Sequence, residues 1–453
     1  MGWKQTAVLA AVLFTVLLMG VGGVSAQQDL RAAPVTPVVA ESLPGSGVAH
    51  QVNFDPAKAT NAYLARVSGE ARKRSDSYFE GGYVLIFVDG LYAVAVAALL
   101  LWTGISARMR NIAQRISRSR FWQVPIYVAM FIAATVVLTF PLSVYENFFR
   151  EHAYGLSNQN FVQWFRDFAV GFAVQLVLAA IALTLIYAVI RATKRTWWAW
   201  GTLVAVVLSA GVTMAVPVFI SPLFNHYYPL AESPIKEKIL SLAKANGIPV
   251  DNVYEFDASK QSKRVSANVS GLFGTTQVSL NDNLMNRSTP AEIEAVLGHE
   301  MGHYVLSHSI IGTTWLGLLI LVAFLFLDWG YRALTNAFGG NWDVRNIDDP
   351  AGLPVFVALL SIFFVLATPV TNTISRTLEA QADIFGLNAA RQPDGFATAT
   401  LKLSEYRKLD PSPLEEFIFY DHPSGRTRIA GAMRWKAWHL TDPDIKAGPV
   451  SPQ

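Results

Sequence analysis

Six long apolar stretches constrain this chain more than any other feature. They lie at about 83–106, 124–146, 168–190, 197–220, 310–331 and 352–372. Each is nearly free of charged residues and long enough to cross a hydrocarbon layer of roughly 30 Å as an α-helix. Six buried helices of a large soluble protein are the alternative, but they would need six such windows in one chain. We therefore predict a multi-pass α-helical membrane protein.

Composition supports this class and excludes several functions. Of the 453 residues, 52% are hydrophobic and only 15% are charged, which is unusual for a soluble domain. The absence of cysteine excludes disulfides, thiolate catalysis and cysteine metal ligands. A formal charge of +3, without a basic patch interleaved with aromatic residues, predicts no nucleic-acid partner.

The chain starts like a secreted protein. Residues 1–26 combine Lys4, an apolar core and small residues before a cut expected after Ala26. An uncleaved membrane anchor is the alternative interpretation. Residues 27–80 read as a polar linker followed by a helix, with Asp55 as its N-cap.

Polar and apolar regions alternate in a definite order. We expect four membrane helices within 81–222 and a protease region at 223–308. Two further membrane helices are expected within 309–373, and a C-terminal region, 374–453, completes the site.

Two short loops set the predicted orientation. The loop "RMRNIAQRISRSR", at 108–120, holds five arginines and no acid, and "RATKRTW" after the third apolar stretch adds three positive charges. Loops this basic face the cytoplasm, which puts 223–308 and 374–453 on the opposite side. Asp89, an acid within the first stretch, is a functional candidate by default, but we expect it to reach the membrane interface.

The stretch "STPAEIEAVLGHEMGHYVLSH" starts like a helix. Thr289 can act as N-cap, Pro290 suits the first helical position, and Glu292 completes a capping box. The pattern therefore predicts a helix that starts at Pro290.

The same helix carries the pattern H-E-x-x-H. His299 and His303 are four residues apart, so both imidazoles project from one helix face and can bind one metal ion. Glu300 lies beside them, where it can take a proton from a water molecule. A pair of surface histidines is the alternative. His308 is five residues beyond His303, and we interpret it as an interfacial residue on another side of the helix.

A third ligand is expected in "SRTLEAQADIFGLNAARQ", just after the last apolar stretch. Glu379 and Asp383 are four residues apart and share one helix face. One carboxylate can bind the metal while the other accepts the free N–H of a ligand histidine.

Three motifs, "GHEMGHYVLSH", "EAQAD" and "DHPSGRTRI", occur in this order. Together they resemble the integral-membrane CAAX prenyl protease family of zinc metallopeptidases, over about residues 83–435. The N-terminal signal-like segment and the long linker after it fit that family less well. The resemblance implies a mainly α fold, with a zincin-type metalloprotease domain, a small β-sheet plus the H-E-x-x-H helix, split around a pair of transmembrane helices.

The resemblance also implies a role for each residue of the motifs. It implies one zinc ion bound by His299, His303 and Glu379, with Glu300 as general base. Asp383 would support a ligand histidine.

Further residues outside these two motifs follow from the same resemblance. His422 would approach the metal and stabilise the oxyanion, and Arg428 would hold this corner. Asn268 and Gly271 would line a cleft in which a strand pairs with the substrate backbone. The alternation at 275–280 itself indicates an edge strand, which would bind a peptide through main-chain hydrogen bonds.

We therefore predict a membrane-embedded zinc endopeptidase that acts on peptides or proteins beside the lipid bilayer. CAAX-type processing and membrane-protein quality control are both compatible with the motifs. A bacterial inner membrane with a periplasm-facing site fits the signal-like start and the basic loops. A catalytically inactive scaffold and a transporter with a polar pathway are the alternatives. A transporter would need charged residues in several spans, and apart from Asp89 these are nearly absent.

Overall fold

The protein is described by a computed structural model that covers residues 54–270 and 276–448. The predicted signal, the linker up to residue 53, and Gly271 lie outside the described residues. Most of the described chain is helical, which confirms the mainly α fold class. Apart from a helix of 4 residues at Arg150–Ala153, the α-helices are α1 (Pro56–Leu64), α2 (Gly69–Trp102), α3 (Ile105–Ile116), α4 (Arg120–Val144), α5 (Phe161–Thr193), α6 (Trp197–Ala215), α7 (Pro234–Ala245), α8 (Asp282–Arg287), α9 (Pro290–Val305), α10 (His308–Trp342), α11 (Leu353–Ala390), α12 (Pro393–Lys402), α13 (Pro413–Phe419) and α14 (Gly425–Trp438).

Six of these helices are long and apolar enough to cross a membrane, as predicted: α2, α4, α5, α6, α10 and α11. Consecutive spans run in opposite directions, so α3 and the loops after α5 and α10 meet at one end of the bundle. Two contacts join them there. Buried Arg110 of α3 binds Asp343 and Asp349 of the α10–α11 loop at 2.6 and 2.8 Å, and Arg191 of α5 donates to the carbonyl of Arg120.

Close approach between spans depends on glycine. A Cβ on Gly90 of α2 would lie 2.7 Å from Val365 of α11, and one on Gly330 of α10 would lie 2.8 Å from Leu359. Small residues let membrane helices gain dispersion contacts that lipid cannot offer. These contacts fix how α11 sits in the bundle.

Asp89 corrects one expectation. Its side chain is only 6% exposed and is buried within the protein, so it does not reach the interface. An acid inside a bundle of apolar helices faces protein because lipid cannot satisfy it.

Helix α11 links the membrane part to the polar part. With 38 residues it is roughly 57 Å long, well beyond a hydrocarbon thickness of roughly 30 Å. Its second half therefore extends out of the bilayer. Glu379 and Asp383 lie on that extension.

A four-stranded sheet lies at the same end of the bundle. Its strands are β1 (Tyr227–Pro229), β2 (Val253–Phe256), β3 (Ala267–Ser270) and β4 (Gln277–Asn281), in the order β1-β2-β4-β3. β2 and β4 are parallel, and the other two pairs are antiparallel.

The predicted edge strand at 275–280 is wrong. Its described part belongs to β4, which lies between β2 and β3, and within the described residues β1 and β3 are the two edge strands. Val278 and Leu280 are fully buried, because β4 packs between two neighbours over the core formed with α7 and α9. Alternation alone cannot separate an edge strand from an interior one with one polar face.

The chain before the first span packs on the C-terminal region. Asp55 caps α1 by accepting from the backbone N–H of Ala57 at 2.8 Å, as predicted. Tyr63 of α1 donates to Asp394 at 2.6 Å, and Lys436 of α14 binds the same carboxylate at 2.7 Å. These contacts hold α1, α12 and α14 together around one apolar core.

Candidate metal centre

Helix α9 starts where the sequence predicts. The Thr289 hydroxyl accepts from the backbone N–H of Glu292, and the Glu292 carboxylate accepts from the backbone N–H of Thr289 at 2.7 Å. Lys402 of α12 also binds Glu292, at 2.5 Å. The capping box therefore fixes the start of α9 and so the rotation at which its histidines face α11.

Three metal-binding side chains converge between α9 and α11. The Nε2 atoms of His299 and His303 are 3.2 Å apart. Glu379 Oε2 lies 3.2 Å from His299 Nε2, and its Oε1 lies 3.6 Å from His303 Nε2. Tetrahedral zinc with bonds of 2.0–2.1 Å would separate its ligand atoms by roughly 3.3 Å. The donor atoms thus fit one tetrahedral ion.

The charges at this point favour a cation. Burial lowers the pKa of His299, but the hydrogen bond to Asp383 and the negative charges of Asp383 and Glu379 outweigh it and raise this pKa to about 10. Glu379 Oε2 is buried and makes no hydrogen bond within the described residues. A buried carboxylate oxygen without a donor is costly, and a metal dication would satisfy it.

Small residues bring α9 and α11 to this distance. A Cβ on Gly298 would lie 3.0 Å from the Gly386 carbonyl oxygen, and one on Gly302 would lie 3.1 Å from Ala382 Cα. A Cβ on Gly386 would lie 2.7 Å from the His299 backbone nitrogen. The two backbones are therefore in contact, and the ligand atoms of one helix reach those of the other.

Asp383 fixes the orientation of His299. The Nδ1–H group of His299 donates to Asp383 Oδ1 at 2.8 Å, so in the neutral ring the lone pair lies on Nε2, which faces Glu379 and can bind a metal. Arg428 of α14 binds the same carboxylate through two bonds, Nε to Oδ2 at 2.9 Å and Nη2 to Oδ1 at 2.5 Å. The bidentate pair fixes the position of Asp383.

His308 corrects another expectation. It is 5% exposed and contacts His303, with their Nδ1 atoms 3.0 Å apart, so it is not an interfacial residue. Its Nε2–H donates to Gln381 Oε1 at 3.1 Å. In a neutral ring its Nδ1 must then accept, so His303 donates from Nδ1 and keeps the Nε2 lone pair for a metal. Gln381 and His308 thereby set the tautomer of His303.

His422 lies on the turn between α13 and α14. Its Nε2 is 3.2 Å from Glu379 Oε2, and its Nδ1 donates to Asp421 Oδ1 at 2.9 Å. Burial raises the pKa of Asp421, but the adjacent His422 outweighs this and holds it below its usual range. Arg376 of α11, which sequence reasoning missed, donates to the Tyr420 carbonyl at 2.6 Å and ties this turn to α11.

Glu300 lines a cavity of about 260 Å³ together with His299, His422 and Arg428. Burial raises the pKa of the Glu300 carboxyl above its ordinary value, which moves it toward neutral pH, where a group can both take and return a proton. Ala267 of the edge strand β3 lines the same cavity. Asn268 is the next residue of β3 and pairs with Ser279 of β4.

An H-E-x-x-H helix whose two histidines meet a third metal-binding group, the carboxylate of Glu379 from the end of a membrane helix, defines a membrane metalloprotease. Residues 229–436 match the description "Peptidase family M48", and residues 56–226 match "CAAX prenyl protease N-terminal, five membrane helices". The chain belongs to the CAAX prenyl protease family of M48 metallopeptidases. The predicted resemblance is therefore confirmed, and the scaffold and transporter alternatives are not favoured.

Relatives with known names cover most of the chain. It is 28% identical to the Bacillus subtilis protein "Uncharacterized metalloprotease YhfN", over 74% of this chain and 79% of that protein. It is also 28% identical to Saccharomyces cerevisiae "CAAX prenyl protease 1", over 67% of this chain and 70% of that protein. The crystal structure of S. mikatae Ste24p superposes with a TM-score of 0.69 at 23% identity, covering 83% of this chain and 94% of that chain. This likeness shows a shared fold.

Proposed function

We propose that the protein is a zinc endopeptidase in which His299, His303 and Glu379 hold the metal. The observation that carries the proposal is the convergence of their donor atoms at separations that suit one tetrahedral ion. The donor set, two imidazoles and one carboxylate, is typical of catalytic zinc, which keeps a fourth position open.

The chain's own residues supply the proton transfers. A zinc ion held there would lower the pKa of a water molecule and polarise the scissile carbonyl. The Glu300 carboxylate takes the proton of the attacking water and returns it to the leaving amine. His422, with Nδ1 bound to the Asp421 carboxylate, donates from Nε2 when its ring is protonated and stabilises the oxyanion. Asp383 and Arg428 keep His299 in the tautomer that can bind metal.

The substrate backbone pairs with β3. Within the described residues no strand covers its outer edge, and its first residue, Ala267, lines the same cavity as Glu300. An extended peptide added to this edge gains main-chain hydrogen bonds and passes the metal centre. Asn268 lies on this strand and can bind the peptide beside the scissile bond.

We propose membrane-associated polypeptides as the substrate class. The names of the yeast, plant and animal relatives favour prenylated C termini. Protein quality control is the second candidate, because the orientation proposed below puts the site on a face where prenylated proteins are not expected.

Metal removal tests the proposal. Purified protein should contain about one zinc ion per chain, lose peptide cleavage in a chelator, and regain it with Zn²⁺ but not with Mg²⁺, which prefers oxygen ligands. The variant His299→Ala should lose both the metal and cleavage. His226→Ala, an exposed histidine beside the sheet, should keep both. Full cleavage in a chelator would refute the metal mechanism.

The membrane is proposed to be the bacterial inner membrane, with the metal centre on the periplasmic side. The basic residues of α3 and of the α5–α6 loop lie at the end of the bundle opposite the metal centre, and such loops face the cytoplasm. Fusions of a periplasm-only reporter after Pro222 and after Gln453 should be active, and a fusion after Arg118 inactive. The reverse pattern would place the site in the cytoplasm.

A further inference from the structure

The cavity next to Glu300 extends beyond the catalytic residues. Besides Glu300 and His422, the start of β3, Lys402 at the end of α12 and Arg407 in the segment after α12 line it. At about 260 Å³ it has room for several atoms of a bound peptide. No step of the proposed mechanism uses this outer part of the cavity.

The lining of this cavity is unbalanced in charge. Three permanent cations line it, Lys402, Arg407 and Arg428, but the only acid among the lining residues is Glu300. Lys402 binds Glu292 at 2.5 Å, and Arg428 binds Asp383 through two bonds. Within residues 54–270 and 276–448, the Arg407 guanidinium makes no hydrogen bond and no ion pair. Arg407 is therefore the cation available to a ligand.

The backbone around Arg407 is held in place. Its carbonyl accepts from the hydroxyl of Ser75 in α2 at 3.1 Å. The next residue, Lys408, binds Glu80 of α2 at 2.7 Å and Glu415 of α13 at 2.9 Å. A cation on a fixed backbone loses less conformational freedom when it binds a partner.

Asp421 is the nearby acid that could pair with the Arg407 guanidinium, but it does not bind it. Its charge interacts with that of Arg407, but its Oδ1 accepts from His422 at 2.9 Å. Within the described residues no hydrogen bond or ion pair joins Asp421 to Arg407, so the donors of Arg407 are available to an anionic ligand.

The edge strand indicates which part of a substrate reaches Arg407. Ala267, the first residue of β3, and the two residues before it, Val265 and Ser266, line the cavity. A peptide added antiparallel to β3 places its C-terminal part beside the start of that strand. The residues that follow the scissile bond would then lie in the outer cavity.

We propose that Arg407 binds a carboxylate on the C-terminal side of the scissile bond and so selects anionic peptides. This inference rests on the proposed function. The carboxylate could be the free C terminus of the substrate or an Asp or Glu side chain, and both present the two oxygens that a guanidinium binds in a bidentate manner. Arg407 is thus a specificity-determining residue.

Two matched pairs of peptides test it. One pair differs only in a free or amidated C terminus, and the other carries Glu or Gln after the scissile bond. With zinc-loaded enzyme we expect kcat/KM to favour the acidic member of at least one pair by about tenfold, the effect of one hydrogen bond between charged groups. The pair that shows the preference identifies the source of the carboxylate.

Variants assign the preference to Arg407. Arg407→Gln should abolish it, Arg407→Glu should reverse it, and Arg434→Gln, an exposed arginine of α14, should keep it. The ratio within a pair does not depend on the amount of folded enzyme. Cleavage of both members at equal rates by the wild type, or a preference retained in Arg407→Gln, would overturn this inference alone. If the zinc-loaded wild type cleaves no peptide, the proposed function itself is refuted, and this inference is refuted with it.

Discussion

Replacing Glu300 by glutamine should lower kcat/KM for peptide cleavage by about a thousandfold while zinc stays bound. Glutamine keeps the size of the side chain but cannot accept the proton of the attacking water, and positioned general bases contribute about 10²–10⁴-fold. Glu300 is not among the three converging metal-binding groups. Cleavage assays and zinc analysis of the same preparation measure the two effects separately.

Glu294 on the same helix provides the control. Its carboxylate binds the exposed Lys238 of α7 at 2.7 Å and is not among the metal-binding groups, so Glu294→Gln should change neither cleavage nor zinc content. If Glu300→Gln cleaved peptides at the wild-type rate, the assignment of the base would be refuted. Loss of zinc in this variant would instead indicate that Glu300 supports the metal.

Replacing Gly386 by alanine should destabilise the protein and weaken zinc binding at least tenfold. The added Cβ would lie 2.7 Å from the His299 backbone nitrogen, and neither backbone can move without separating α9 from α11. Overpacking of this kind costs about 1–3 kcal/mol. The midpoint of thermal unfolding and a zinc competition titration measure the two effects.

Gly431 in α14 provides the control, because replacing it by alanine should not destabilise the protein. A Cβ there has nothing within 4 Å, so Gly431→Ala should leave stability unchanged or raise it by up to about 1 kcal/mol through helix propensity. Wild-type stability and zinc affinity in Gly386→Ala would show that close contact between α9 and α11 is not required.

Short-range sequence patterns were enough to predict much of the fold and the residues at the centre of the site. Length and hydropathy predicted the six spans because a bilayer admits few other solutions. The capping box predicted the start of α9. The separation of four residues predicted that His299 and His303 share one face of α9 and that Glu379 and Asp383 share one face of α11. The contact between the two helices could not be read from spacing. It was inferred from the need for a third metal ligand, and the family resemblance then assigned that role to Glu379.

The errors came from assuming that local patterns continue. His308 was placed by extending α9, but the helix ends at Val305 and Ser307 adopts a left-handed φ of 54°, which starts α10 in a new direction. That turn brings His308 back to His303. Arg376 and Arg407 lie outside the three motifs, and Gln381 lies between the two carboxylates of "EAQAD", so only tertiary contacts identify the roles of these residues.

The length of α11 has a consequence for biosynthesis. A nascent chain that has been made up to residue 378 contains both histidines of α9 but not yet Glu379, which the ribosome adds only after the last apolar stretch. On the assignment proposed here, a newly made chain cannot hydrolyse peptides until its sixth span has entered the bilayer and packed against the other helices. Insertion into the membrane thus acts as the activating step, and no removable propeptide is needed to keep the unfinished enzyme silent.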